Sequence, residues 1–196
     1  MKIVELQPLI EAYDTVFDAT NRVVHENNIV EIYGRLDGEF YVVEFKLGRA
    51  ENHVLLALSF AKIVDGLKEY NLISSKNTIS VLGAVRNIIS TELANIAGRY
   101  QLSAILMFLH DANDQRERIY RRMFSYGTGT FGKWHIVGAF NISDNRTVLL
   151  ATNGSLKLSE LSTIKNSITK DNTRYWLDFD LKKSTNNTVL DKLGRV

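Results

Sequence analysis

The stretch NIVEIYGRL (28–36), DG (37–38), EFYVVEFKL (39–47) decides how this chain is read. Two β-rich runs flank Asp37-Gly38, a dipeptide suited to a two-residue type I′ turn because both central residues need positive φ. Pairing outward from that turn sets Leu36 against Glu39, Arg35 against Phe40, Gly34 against Tyr41, Tyr33 against Val42, Ile32 against Val43 and Glu31 against Glu44. Directly opposed residues share a face with Cβ atoms about 5 Å apart, so two bare carboxylates there repel by roughly a few kcal/mol at an effective dielectric of about 20. Something must compensate. A divalent cation with oxygen ligands does so, and Lys46, two residues beyond Glu44, adds a positive group on the same face. Val42 shares that face, while Tyr41, Val43 and Phe45 point to the other. The competing reading of Glu31, Glu44 and Lys46 is a solvated salt-bridge ladder on an exposed sheet.

Working outward, Leu6, Leu9, Ile10, Tyr13, Phe17, Val23 and Val24 fall on one helical face between about residues 4 and 25, with Glu11, Asp14 and Asp18 opposite. This predicts an amphipathic opening helix. After Gly48, residues 50–70 are apolar on most sides (Val54, Leu55, Leu56, Leu58, Phe60, Ile63, Val64, Leu67), which predicts a second helix buried on more than one face. Then come an expected strand at 78–86, a short helix at 91–99 and an apolar strand at 102–109, giving the order αββαβαβ. Beyond it lie an expected helix at 114–124, a Gly/Thr loop at 125–133, strands at 134–142 and 146–152 around Asp144-Asn145, a strand at 175–181 and a polar tail over 183–196. The reading is one domain over 1–182, with a core motif at 4–109 and a C-terminal extension at 110–182.

Composition narrows the chemistry. With 196 residues, 45% of them hydrophobic, the chain suits one domain of ordinary core size. It has no Cys, so any metal is held by oxygen or imidazole and hard cations become the default. No membrane-length apolar run or signal-peptide layout is present, which predicts an intracellular, cytoplasmic protein. Residues 1–100 carry 10 Lys/Arg against 13 Asp/Glu and residues 101–196 carry 14 against 9, an acidic half followed by a basic one.

Helix, hairpin with an acidic residue on its first strand, Glu44-Phe45-Lys46 on its second, then a helix and further strands: over residues 4–109 this resembles the PD-(D/E)xK, or restriction-endonuclease-like, nuclease superfamily. The resemblance implies an α/β fold, a mixed central sheet flanked by helices, with the later strands added at its C-terminal side. It implies that Glu31 and Glu44 bind Mg²⁺ or Mn²⁺, that Phe45 lends a backbone carbonyl, and that Lys46 positions or activates the attacking water. Glu stands where Asp is commoner at the first position, and Val30 replaces the preceding Pro. Family members often add an acid from the first helix, for which Glu5 is the candidate; the same residue also suits an N-terminal helix acid favoured by the helix dipole. Asp37 is excluded as a ligand because a turn residue about six strand positions from Glu44 lies roughly 20 Å away.

His53, near the start of the second run, is a candidate substrate contact or a core or capping histidine. Arg116, Arg118, Arg121 and Arg122 lie within two helical turns and, with Lys133, form the densest basic patch for gripping phosphates; the same residues also suit a solvated helix face. Gly127 to Lys133 spells most of a P-loop, but Trp134 replaces the required Ser/Thr and a strand follows, so a nucleotide site is rejected. No G-x-S-x-G or H-E-x-x-H occurs. The expected activity is Mg²⁺-dependent hydrolysis of DNA, RNA not being excluded as a partner. The alternative is a non-catalytic nucleic-acid-binding or assembly protein. The all-round apolar second run tilts the reading toward a homodimer.

Overall fold

A computed structural model describes residues 15–26, 29–70, 78–110, 114–125, 131–143, 146–154 and 156–170. The expected opening helix up to residue 14, Glu5 within it, the strand at 175–181 and the tail lie outside the described residues. Among the described residues five strands come first: β1 (Ala19–Val24), β2 (Ile29–Leu36), β3 (Glu39–Ala50), β4 (His53–Val64) and β5 (Leu67–Glu69). Helix α1 (Thr78–Ala97), β6 (Leu102–His110), α2 (Asp114–Ser125), a 3-10 turn (Phe131–Lys133), β7 (His135–Ser143), β8 (Arg146–Thr152) and α3 (Leu158–Lys170) follow. The sheet runs β1-β2-β3-β4-β6-β8-β7, with β5 paired to the end of β4. Among the described strands β4 and β6 are parallel neighbours and the other pairs are antiparallel. The protein is therefore mixed α/β, as expected at that level. Among the described residues no helix is long and apolar enough to cross a membrane.

The β2–β3 hairpin has the expected register at every pair from Leu36↔Glu39 to Glu31↔Glu44, with Asp37 and Gly38 at φ +52° and +82°. β6, α2, β7 and β8 also fall where expected. Three elements differ. Residues 50–70 are not a helix but β4, a turn and β5: Leu55, Leu56, Ala57 and Leu58 are all buried because a central strand is covered on both faces, and a continuous apolar run cannot by itself be told from a buried helix. Asp65-Gly66 at φ +51° and +78° makes a second hairpin turn of the same kind as the first. Residues 78–97 form one helix instead of a strand and a short helix. Val81, Leu82, Val85, Ile88, Ile89, Leu93 and Ile96 keep a helical period into the core, and that burial overrides the β preference of the branched residues. Residues 19–24 form edge strand β1, not the end of a helix; Val23 and Val24 are both buried, one on each face of the sheet.

One face of the sheet, with Val30, Ile32, Val43, Phe45, Leu56, Leu58, Ile105 and Met107, packs against α1 and against Met123 and Phe124 of α2. The opposite face carries two apolar patches. Leu55, Ala104, Leu106, Val148 and Leu150 lie under Ile164 and Ile168 of α3, while Val23, Tyr33, Val42 and Ala61 form a smaller cluster with Ile63 and Tyr70. The central part of β4, from Leu55 to Leu58, is thus covered on both faces within the chain. Arg22 ties the edge strand to α1: its Nε and Nη2 donate to the carboxylate of Glu92, a residue 2% exposed.

Candidate functional site

Between the two apolar patches of the second face run the rows Glu31–Glu44–Ser59 and Ile29–Lys46–Ala57. The hairpin brings the two glutamates opposite each other, as expected, and the compensating cation comes from a residue the sequence reading did not single out. The Asp65-Gly66 turn folds β5 back along β4 so that Lys68 stands opposite Ile63, on the face of the glutamates. Its Nζ donates to Glu31 Oε1 and to Glu44 Oε1, each at 2.5 Å. The other oxygens are also held. Glu31 Oε2 accepts from Tyr33 Oη at 2.6 Å and lies 2.7 Å from His25 Nε2; Glu44 Oε2 accepts from Ser59 Oγ at 2.6 Å and from Tyr70 Oη at 3.1 Å. His25 is aimed there by its own N–H, which donates to Ile29 O at 2.8 Å across the β1–β2 connection.

This is a buried network, not a solvated ladder: the Glu31 side chain is 8% exposed and that of Glu44 17%, against 30% for Lys68 and 38% for His25. Burial pushes the Glu31 carboxyl up, but the hydrogen bonds from Lys68, Tyr33 and His25 outweigh it and hold the group below its ordinary range. Burial works against the Lys68 ammonium, and its two glutamate partners reverse that and raise it. The hydroxyls of Tyr33 and Tyr70 are pushed up by burial and by the carboxylates they serve, Tyr70 to about 12, so both remain protonated donors. Lys46 is shifted down by burial, partly offset by the charge of Glu44 on the neighbouring row.

The fit to a divalent ion is poor as the side chains stand. Every carboxylate oxygen has a protein donor, an ammonium lies between the two groups, and among the described residues no group of three or more His, Asp or Glu is placed to hold a metal. The Phe45 side chain is in the core, and its backbone belongs to a strand paired on both sides, with Val30 and Leu58. His53 opens β4 opposite Ala50, six residues from Ser59 or roughly 20 Å along the strand, and is not part of this site. The basic patch is separated as well. Helix α2 packs on the other face of the sheet, where Tyr120 meets the Phe60 ring, so the sheet lies between it and the glutamates. There Arg118 and Lys133 are exposed on adjoining elements, and Arg121 is paired with Glu117 at 2.7 Å. The side chains of Arg116 and Arg122 lie outside the described residues. A concavity of about 310 Å³ between β1 and α1, lined by Phe17, Ile32, Ala84 and Ile88 among others, is likewise on the α1 face.

Lys68 was legible in principle. Treating Asp65-Gly66 as a turn, like Asp37-Gly38, pairs Ile63 with Lys68 and puts that lysine on the glutamate face. Since Gly66 sits at φ +78°, Gly66→Val is expected to cost about 1 kcal/mol or more through strain at the turn that delivers Lys68. Urea denaturation checks this; an unchanged midpoint would contradict the role given to the turn.

No protein-family model and no curated protein matches the chain. Among solved structures, the crystal structure of an acetyltransferase of the GNAT family from Streptococcus pneumoniae is similar over 64% of this chain and 66% of that one, just under two thirds of its length, at 12% identity and a TM-score of 0.35. A likeness at that TM-score carries no argument about what this chain does.

Proposed function

We propose that this chain is a non-catalytic nucleic-acid-binding or assembly protein in which the opposed glutamates serve the fold from within. The observation that carries this reading is that all four oxygens of Glu31 and Glu44 are held by Lys68, His25, Tyr33, Ser59 and Tyr70. Each oxygen already accepts from a protein donor, and the Lys68 ammonium bridges the two carboxylates where a shared metal would have to sit. The binding surface proposed for phosphates is the α2 side, where exposed Arg118 and Lys133 sit on neighbouring elements of the more basic half of the chain. Such contacts grip the backbone of a nucleic acid without reading its bases.

A second reading, metal-dependent cleavage of DNA by a restriction-endonuclease-like fold, is favoured by the register that opposes Glu31 to Glu44 with Lys46 two residues on. It requires Lys68 to leave both carboxylates. One experiment separates the two: labelled duplex, single-stranded and branched DNA and RNA, incubated with Mg²⁺, Mn²⁺ or EDTA. The expected outcome is salt-sensitive binding without cleavage, insensitive to Glu44→Ala, with Arg118→Ala and Lys133→Ala each lowering the salt slope by about 1. Metal-dependent cleavage lost in Glu44→Ala and Lys46→Ala would establish the second reading, and absence of binding to every substrate would remove nucleic acid as the partner.

A further inference from the structure

We propose that Lys68 is a tethered cation standing where a divalent metal would otherwise compensate Glu31 and Glu44, so that this hairpin is built to be metal-free. The inference rests on the reading of the glutamates as an internal cluster and deepens it by naming what excludes the metal. Lys68 Nζ donates to one oxygen of each glutamate, bridging β2 and β3 as a shared ion would. The second oxygen of each is turned to two further side chains at 2.6–3.1 Å, so that each carboxylate has three protein partners, one of them the ammonium. A magnesium ion demands near-octahedral oxygens at about 2.0–2.1 Å and keeps several of its waters, so entry here means expelling Lys68 and breaking hydrogen bonds from several side chains.

The tether favours the lysine further. Lys68 is delivered by a two-residue turn and a three-residue strand, so it is already at the carboxylates when the fold forms and loses no translational freedom on binding them. The charge count is consistent. Two carboxylates and one ammonium leave a single negative charge, next to Lys46 on the adjoining row and within reach of His25. A doubly charged ion added beside Lys68 would turn that single negative charge into a net positive one, with Lys46 close by.

The test compares the 196-residue protein with Lys68→Ala, with Glu44→Gln and with Lys68→Ala/Glu44→Gln, measuring melting temperature and Mn²⁺ binding by electron paramagnetic resonance in millimolar Mn²⁺ and in EDTA. The wild type is expected to melt at the same temperature in both and to bind no Mn²⁺ saturably. Lys68→Ala is expected to melt lower in EDTA and to regain part of the loss in Mn²⁺, a gain absent from the double variant. Saturable Mn²⁺ binding by the wild type that Glu44→Gln alone removes would overturn the proposal, as would a Lys68→Ala protein equally stable with and without Mn²⁺. If Lys68→Ala does not fold, Mn²⁺ binding by the wild type and by Glu44→Gln still decides the matter. These outcomes are independent of nucleic-acid binding, so a failure here is distinct from failure of the functional reading.

Discussion

Replacing Lys68 with Met is expected to lower the stability of the fold by about 3 kcal/mol at neutral pH, a fall in Tm of roughly 6–12 °C for a chain of this size. The substitution preserves most of the aliphatic stem and removes only the charge between two largely buried carboxylates. What remains is uncompensated like charge across a non-polar sheet, the costly way to break an internal ion pair, because both surviving partners stay buried. The pH dependence follows from the same groups. In the wild type the Glu31 carboxyl is held below its ordinary value of 4.5, so its contribution is fully present above that value and is lost as pH falls through the lower folded value. In Lys68→Met, burial acts on Glu31 without its strongest hydrogen-bond partner, and ionisation now works against folding. The deficit of the variant is therefore expected to be largest at neutral pH and to shrink as the solution is acidified through the carboxylate range. Chemical denaturation of both proteins across pH checks this; a deficit that is constant with pH would mean that Lys68 acts through packing alone.

The second large effect concerns β4. Leu55 and Leu56 are adjacent and are 1% and 0% exposed, yet they belong to different clusters: Leu55 packs under α3 and Leu56 on the α1 side. Leu55→Ala and Leu56→Ala are each expected to cost about 2–5 kcal/mol, the range for truncating a fully buried leucine. The pair tests burial on both faces of β4. Neighbours on a strand point to opposite faces, so the two truncations report separately on the packing under α3 and on the α1 side. Equilibrium unfolding of the two variants decides it, and a near-neutral result at either position would contradict the two-sided burial described here.

The parts of the fold legible in sequence were those where one strong local signal stood alone. Asp37-Gly38 determines the hairpin and its register, and with it the opposition of Glu31 and Glu44. The run at 102–109 and the pair of strands around Asp144-Asn145 were read from short apolar segments bounded by turns. Misreading began where a buried strand and a buried helix have the same composition. The run from Ala50 to Tyr70 has no period of its own because both of its faces are covered, and α1 carries enough Val and Ile to suggest a strand over its first two turns. The site followed the fold. With residues 50–70 taken as a helix, Ser59, Lys68 and Tyr70 had no route to the glutamates, and a metal was the natural agent to offset their repulsion. His25 was hidden for a different reason: its role depends on β1 being a strand whose end turns back onto β2, which the helical pattern of the first residues obscured, whereas Tyr33, two residues from Glu31 on β2, shares the glutamate face in the hairpin register itself.

The most direct test of the central claim is an NMR titration of the side-chain carboxyls of Glu31 and Glu44, in the wild type and in Lys68→Met. If Lys68 is the cation that holds the pair, Glu31 titrates below the ordinary glutamate range in the wild type and moves upward in the variant. A Glu31 carboxyl that titrates above that range in the wild type, or at the same pH in both proteins, would show that the two glutamates are not held by Lys68.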